Sequence, residues 1–262
     1  MNANIEKALA DALQVEAIDK RAWSVVQNGL PGALSDPEGI AAGSEQAIGK
    51  LIEGLMLGGF AMQATQSSRP ASGAEHQFSH LWEMEHYGLD WDPPLSHGFK
   101  VGLGTVAVSA LYEVVLSKDI ASLIDVDAAV AAWPSWEQTE EMVKAALAPD
   151  LHEPALAQTK AKYVSPEELR TRLELTIAKW PTIEKRLRDQ VLPAADLKAK
   201  LDAVGAVSHP SQIGMPMDRF QDTYYRARWI RTRFVLTDLL TQANLLEGFV
   251  DELFAPGGFW AE

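Results

Sequence analysis

Cysteine is absent from the 262-residue sequence. The chain therefore has no disulfide bonds, no thiolate nucleophile and no cysteine metal ligands. This absence is typical of a reducing compartment. The N-terminal residues are amphipathic and charged, and they do not resemble a signal peptide. We therefore expect a cytoplasmic protein.

Long hydrophobic runs are also missing from the sequence. A helix that spans a bilayer needs about 20 predominantly apolar residues. The longest candidate, residues 101–116, is interrupted by Ser109 and Glu113. The sequence therefore predicts no membrane span.

Basic residues are scarce, with 23 Lys and Arg against 36 Asp and Glu and a formal net charge of −13. Such a charge repels phosphate backbones, so we expect no nucleic-acid partner. A small phosphorylated molecule could still be held locally by a single arginine.

No segment of any length alternates apolar and polar residues with the period of a β-strand. Apolar residues instead recur at helical spacing, as at Ile5, Leu9 and Leu13. The pattern predicts an all-α, multi-helix bundle in which residues 1–262 form a single domain. Residues 155–207 could form a helical insertion that projects from it.

Two long helices are predicted from their composition. Residues 44–66 are apolar nearly all round, which is typical of a buried helix. Glycines in this segment and in the helix that starts at His97 indicate close packing of the two helices against each other. Residues 218–246 are predicted to form one long helix that carries a cluster of arginines.

The segment from residue 69 to residue 105 contains a histidine pattern suited to a metal site. His76 and His80 are four residues apart and Glu83 follows three later, so the three side chains share one helix face. Ser96 is a helix cap, and His97 opens the next helix, where the dipole favours the neutral imidazole that binds metals. His76 and His97 could converge on one ion, although an isolated histidine pair is more often part of a core.

The segment SRPASGAEHQFSHLWEM…HGFKVGLGT closely resembles the signature of sn-glycerol-1-phosphate dehydrogenases. These enzymes are grouped with glycerol dehydrogenases, iron-containing alcohol dehydrogenases and dehydroquinate synthases. The resemblance implies the C-terminal helical domain of the dehydroquinate synthase-like fold. It also implies that His76 and His97 ligate a catalytic Zn²⁺, or another divalent metal such as Ni²⁺ or Fe²⁺.

The implied reaction is the NAD(P)H-dependent reduction of dihydroxyacetone phosphate. His80, one turn from His76, would orient the substrate or relay a proton. From their chemistry, Arg69 and Ser72 could hold the phosphate of a small phosphorylated polyol or ketone at the start of the helix.

The sequence departs from the family in lacking a nucleotide-binding α/β half. The family's third metal ligand, an aspartate, would fall at or before Met1. We therefore expect a truncated form that is inactive alone, with NAD(P) bound only if a missing N-terminal domain, a partner chain or a homo-oligomer supplies the site. A non-catalytic helical interaction module is the alternative, and dehydroquinate synthase-like chemistry fits the segment less well.

Overall fold

Helices form the regular secondary structure of the computed structural model, which describes residues 2–261. Helix accounts for 71% of the chain. Residues 2–261 contain no β-strand, so the predicted all-α fold is confirmed. The first eight α-helices are α1 (Asn2–Ala12), α2 (Lys20–Ala33), α3 (Pro37–Ala41), α4 (Glu45–Thr65), α5 (Ala74–Met84), α6 (His97–Leu116), α7 (Ile120–Leu123) and α8 (Val126–Ala132). The others are α9 (Trp136–Ala146), α10 (His152–Lys160), α11 (Pro166–Arg188), α12 (Ala194–Ala203), α13 (Met217–Arg226), α14 (Leu236–Gln242) and α15 (Leu246–Phe254).

Helix α6 lies at the centre of the core. Leu103, Val106 and Leu111 on this helix are fully buried, and α1, α5, α12 and α15 pack around it. It is the one helix within residues 2–261 that is long and apolar enough to cross a membrane, but 67% of its apolar window is buried inside the protein. Its hydrophobicity is thus accounted for largely by its central position.

Helices α5 and α6 approach each other closely at a glycine. A Cβ atom added to Gly104 would lie 2.7 Å from the carbonyl oxygen of Glu75 and 3.2 Å from its Cα. The prediction that the α6 glycines pack against residues 44–66 is therefore wrong for Gly104, which faces α5. Only a residue without a side chain allows this separation, and the separation brings the histidines of the two helices together.

Helix α4 is not the buried helix that its composition predicts. Only Ala47 and Ala61 are buried, whereas Leu55 and Phe60 are 66% and 54% exposed. The reason is that α4 packs mainly on α2 through small residues, with Gly54 against Ala33. Its apolar face, which we call the α4 stripe, remains open to solvent and consists of Ile52, Leu55, Met56 and Phe60.

The predicted long helix over residues 218–246 is interrupted. Helix α13 ends at Arg226, a 3₁₀ turn covers Ala227–Ile230, and α14 starts only at Leu236. The Asp238 carboxylate accepts a hydrogen bond from the Val235 backbone N–H at 3.0 Å, which caps the new helix. The interruption leaves backbone carbonyls free to accept hydrogen bonds from Arg69 and Lys162.

Residues 155–207 do not project from the bundle as predicted. Leu173, Trp180 and Leu187 of α11 are buried in the same hydrophobic core as the α6 side chains. Helix α11 continues through Pro181, and packing of its apolar face compensates for the backbone hydrogen bond that proline removes.

We expect Gly104→Ala to destabilise the fold by about 1 kcal/mol or more, because the new methyl group would force α5 and α6 apart. The matched control is Gly58→Ala in α4, where a Cβ meets nothing within 4 Å. Higher helix propensity should make that variant more stable by up to about 1 kcal/mol. Chemical denaturation of both variants measures the difference, and a Gly104→Ala protein as stable as Gly58→Ala would contradict this packing.

Candidate metal site

Three histidine rings come together at the α5–α6 contact. The centroids of the His76 and His97 rings lie 5.4 Å apart, those of His80 and His97 lie 5.5 Å apart, and those of His76 and His80 lie 6.0 Å apart. Helix α5 carries His76 and His80, which lie one turn apart. His97 is held at the start of α6, where the Ser96 hydroxyl caps the helix by accepting a hydrogen bond from the Phe99 N–H.

Glu83 joins the histidines on their exposed side. Its Oε1 lies 2.8 Å from His97 Nδ1, and its Oε2 lies 3.3 Å from His80 Nδ1. Burial would raise the pKa of Glu83, but hydrogen bonding to His97 and the positive charges nearby hold it below its usual value. Potential ligand atoms of His80, Glu83 and His97 all lie within 4.8 Å of one another.

His76 is oriented by a buried carboxylate. Its Nδ1 lies 2.9 Å from Oε1 of Glu75, a residue that is only 3% exposed. Burial would raise the pKa of Glu75, but the hydrogen bond and charge of His76 lower it below its usual value. With Nδ1 engaged, Nε2 of His76 is the nitrogen left to bind a metal, as in carboxylate–histidine–metal arrangements.

The donor set fits a divalent transition metal. Imidazole nitrogen and carboxylate oxygen are common zinc ligands, and bonds near 2 Å in a tetrahedral site place the ligand atoms about 3.3 Å apart. The observed separations of up to 4.8 Å exceed this value by at most about 1.5 Å, which small side-chain movements could close. Burial and the charge of Arg231 lower the pKa of His80, which favours the neutral imidazole that a metal requires.

Lys100 lies beneath this group and opposes a bound cation. Its side chain is fully buried, and its Nζ has no hydrogen-bond partner among the residues that the structure describes. Burial lowers the pKa of Lys100, and the negative charge of Glu83 acts in the opposite direction. Glu83 is thus the carboxylate for which Lys100 and a metal ion would compete.

Arg69 and Ser72 are engaged in contacts within the protein. Arg69 is 4% exposed, and its Nε donates to Glu16 at 2.8 Å. The Ser72 hydroxyl contacts the guanidinium of Arg233. Their predicted role in binding a substrate phosphate stays a prediction.

Two residues that the sequence does not assign to this site, Glu83 and Arg231, lie close enough to affect it. Its spacing predicts that Glu83 shares the histidine face of α5, but spacing alone does not identify it as a ligand. Arg231 was one of several arginines in a predicted long helix, and that helix gave no reason to prefer it. Because the helix is interrupted after α13, Arg231 lies where its positive charge lowers the pKa of His80.

An all-α protein with a cluster of histidines between two helices is the class that the geometry defines. Among curated proteins, the chain is similar to glycerol-1-phosphate dehydrogenase [NAD(P)+] of Halalkalibacterium halodurans, with 42% identity over 35% of this chain and 23% of the relative. The Pyrococcus horikoshii protein of that name is 36% identical over 40% of this chain and 29% of its own length. The Geobacillus thermodenitrificans protein of that name is 28% identical over 84% of this chain and 45% of its own length.

The predicted resemblance to glycerol-1-phosphate dehydrogenases is therefore confirmed. The chain spans less than half the length of these relatives. No family model matches the chain, and no solved structure matches it.

A second buried carboxyl supports the site from below. Glu6 of α1 is fully buried, and its Oε2 accepts a hydrogen bond from the Ala74 N–H at 2.8 Å, at the start of α5. Gly73 makes room for the pair, since a Cβ there would lie 2.7 Å from a carboxyl oxygen of both Glu6 and Glu75. Burial and the charge of Glu75 raise the pKa of Glu6 to about 8, so at neutral pH Glu6 is mainly protonated.

We expect this carboxyl to make stability depend on pH. A folded-state pKa of about 8 lies above the unfolded value of about 4.3, so the stabilisation is complete below pH 4 and is lost as pH rises towards 8. Glu6→Gln keeps a hydrogen-bond acceptor and cannot ionise. It should lose less stability than the unmodified chain between pH 5 and pH 8, as measured by chemical denaturation.

The control for this pH dependence is Glu53→Gln, at an exposed position of α4. Its stability should follow that of the unmodified chain at every pH. Parallel pH profiles for Glu6→Gln and Glu53→Gln would contradict the assignment to Glu6.

Proposed function

We propose that the chain is the metal-binding, substrate-side part of a glycerol-1-phosphate dehydrogenase-like oxidoreductase. The observation that supports this most directly is the convergence of His76, His80 and His97 from two helices at centroid distances of 5.4–6.0 Å. The similarity to enzymes named glycerol-1-phosphate dehydrogenase [NAD(P)+] supports the same reaction class.

In this proposal His97 and Glu83 hold Zn²⁺, or Ni²⁺ or Fe²⁺, together with His80 or His76. A divalent cation there would polarise the carbonyl group of a ketone substrate. Glu75 fixes the tautomer of His76 through their 2.9 Å contact. His80, if it is not a ligand, orients the substrate or relays a proton from one turn away.

The phosphate of dihydroxyacetone phosphate would be attracted by Arg231 and Arg233. Burial and the neighbouring charges of Arg69 and Arg231 lower the pKa of Arg233. The neighbouring arginines show that several positive charges lie close together at this edge of the site, in a protein whose net charge is negative. Arg69 and Ser72 would then contribute at the start of α5, where Ser72 contacts Arg233. The arginines would thus hold the phosphate of a phosphorylated ketone or polyol, and the histidine cluster would hold its reacting carbon.

Hydride transfer also needs a nucleotide site, and we assign none to the described residues. We propose that NAD(P) is bound by another segment or by a partner chain, or through a homo-oligomer, and that the reaction takes place in the cytoplasm. The chain alone would then bind metal without turning over dihydroxyacetone phosphate. A spectrophotometric assay with NADH or NADPH tests this, and robust turnover by the isolated chain would refute it.

The alternative is a non-catalytic helical interaction module derived from the same family. The exposed α4 stripe and the engagement of Arg69 by Glu16 favour this second function. In the module, the histidine cluster would serve packing only. Metal binding separates the two proposals.

We expect the chelator-treated chain to bind one Zn²⁺ per molecule in a calorimetric titration. His97→Ala should abolish binding, since His97 belongs to both ligand sets. Comparison of His76→Ala with His80→Ala identifies the third contributor, because only the true ligand should reduce affinity as severely. Glu75→Gln should weaken binding about 10- to 100-fold if His76 is a ligand.

The matched control is His86→Asn, just after α5. His86 adopts a left-handed backbone conformation with φ of 58°, which asparagine tolerates. That variant should bind Zn²⁺ as the unmodified chain does. A chain that binds no metal, or whose binding survives His97→Ala, would rule out the enzyme proposal and favour the module.

A further inference from the structure

A second charged group is buried away from the histidine cluster. Arg228 lies in the 3₁₀ turn Ala227–Ile230 and is only 9% exposed. Its guanidinium carbon lies 3.5 Å from the centroid of the Trp229 ring. Within residues 2–261, its Nε has no hydrogen-bond partner and its guanidinium forms no ion pair. The Trp229 ring contacts this charge, but a buried charge without a carboxylate partner is still costly and calls for an explanation.

Arg228 lines a cavity of about 190 Å³ that also contains Lys162. The Lys162 Nζ donates to the Arg228 carbonyl oxygen at 2.6 Å and pairs with Asp238 Oδ1 at 2.8 Å. These two contacts use two of its three hydrogens, so the third could be donated to a ligand. Asp238 Oδ2 already accepts a hydrogen bond from the Val235 N–H. One carboxylate therefore faces two buried cations.

Asp238 is the one acidic side chain among the described residues that line the cavity. Glu6 influences Lys162, but burial holds its carboxyl mainly protonated. Asp238 is shared further, since its charge also acts on the half-buried Arg172. Burial lowers the pKa of Arg228 to about 10, so it remains protonated at neutral pH. The cavity is electrostatically suited to an anion.

Much of the remaining wall is aromatic or apolar, next to polar side chains such as Thr139, Thr241 and Gln242. Trp133 and Tyr163 stack with ring centroids 5.9 Å apart, and Trp229 and Met142 also line the cavity. The volume is slightly larger than the ~150 Å³ of an engineered cavity that admits benzene. Met142 is 46% exposed, so the cavity has an access route at this edge.

The opposite side of Arg228 is less suited to an anion. A wider groove of about 840 Å³ shares Met142, Arg228 and Trp229 with the cavity. It is also lined by Asp222, Glu247 and Asp251, whose carboxylates would repel a negative ligand. The charge distribution therefore directs an anion to the smaller cavity. No histidine of the candidate metal site lines this cavity.

We propose that this cavity binds a small organic acid, with its carboxylate on Arg228 and Lys162 and its apolar body between Trp133 and Trp229. This binding site is separate from the histidine cluster, and it does not rest on the proposed dehydrogenase function. The carboxylate would pair with the Arg228 guanidinium and supply the second negative charge that the buried cations require.

Benzoate is a suitable probe, because its ring and carboxylate match the size and charge of the cavity. We expect saturable benzoate binding to the full chain by calorimetry, with changes in the indole N–H signals of Trp133 and Trp229 in NMR spectra. Benzamide, the neutral analogue of the same shape, should bind at least tenfold more weakly. Inorganic phosphate, which lacks the apolar body, should also bind more weakly than benzoate.

Arg228→Met preserves an apolar stem and should reduce benzoate affinity at least tenfold. The matched control is Arg188→Met, at a residue of α11 that pairs with Glu184 outside the cavity; it should bind benzoate normally. Equal binding of benzamide, tighter binding of phosphate than of benzoate, or full affinity in Arg228→Met would overturn the proposal. If Arg228→Met does not fold, failure of benzoate to shift the Trp133 and Trp229 signals of the unmodified chain has the same consequence.

Discussion

The close packing of α5 on α6 is the contact on which the candidate metal site depends. It requires the absence of a side chain at Gly104, where the backbone of Glu75 lies within van der Waals range. At the start of α5, the Glu6 carboxyl accepts the Ala74 N–H, and Glu75 contacts His76. A protonated carboxyl beside an ionised one avoids two adjacent buried negative charges. Backbone packing and the protonation of Glu6 thus help to set the positions of the side chains at the candidate metal site.

Much of the site could be predicted because its determinants are local in sequence. The spacing of His76, His80 and Glu83 fixes a shared face on any α-helix, and Ser96 marks the helix start that carries His97. The two helices follow each other in the chain with residues 85–96 between them, so they are expected to be neighbours. The place of Glu83 in the candidate site does not follow from spacing, because its distance to His97 depends on how the two helices pack.

Features that depend on distant contacts could not be predicted. The composition of α4 indicates burial, but its exposure depends on which helices pack against it, and that is set by small residues such as Gly54 and Ala33. The interruption after α13 arises in part from Asp238, a capping residue that also pairs with Lys162 in the turn after α10. Helical periodicity reads the same on both sides of that interruption. The arginines near it therefore looked alike in sequence, although Arg228 is buried on Trp229 and Arg231 acts on His80.

The exposed α4 stripe has a thermodynamic consequence for the whole chain. Side chains such as Leu55 and Phe60 are already hydrated in the folded state, so unfolding transfers less new apolar surface into water than the composition suggests. Heat capacity change and denaturant sensitivity both scale with that newly exposed surface. The chain should therefore show a flatter temperature dependence of its stability than a fully packed protein of 262 residues.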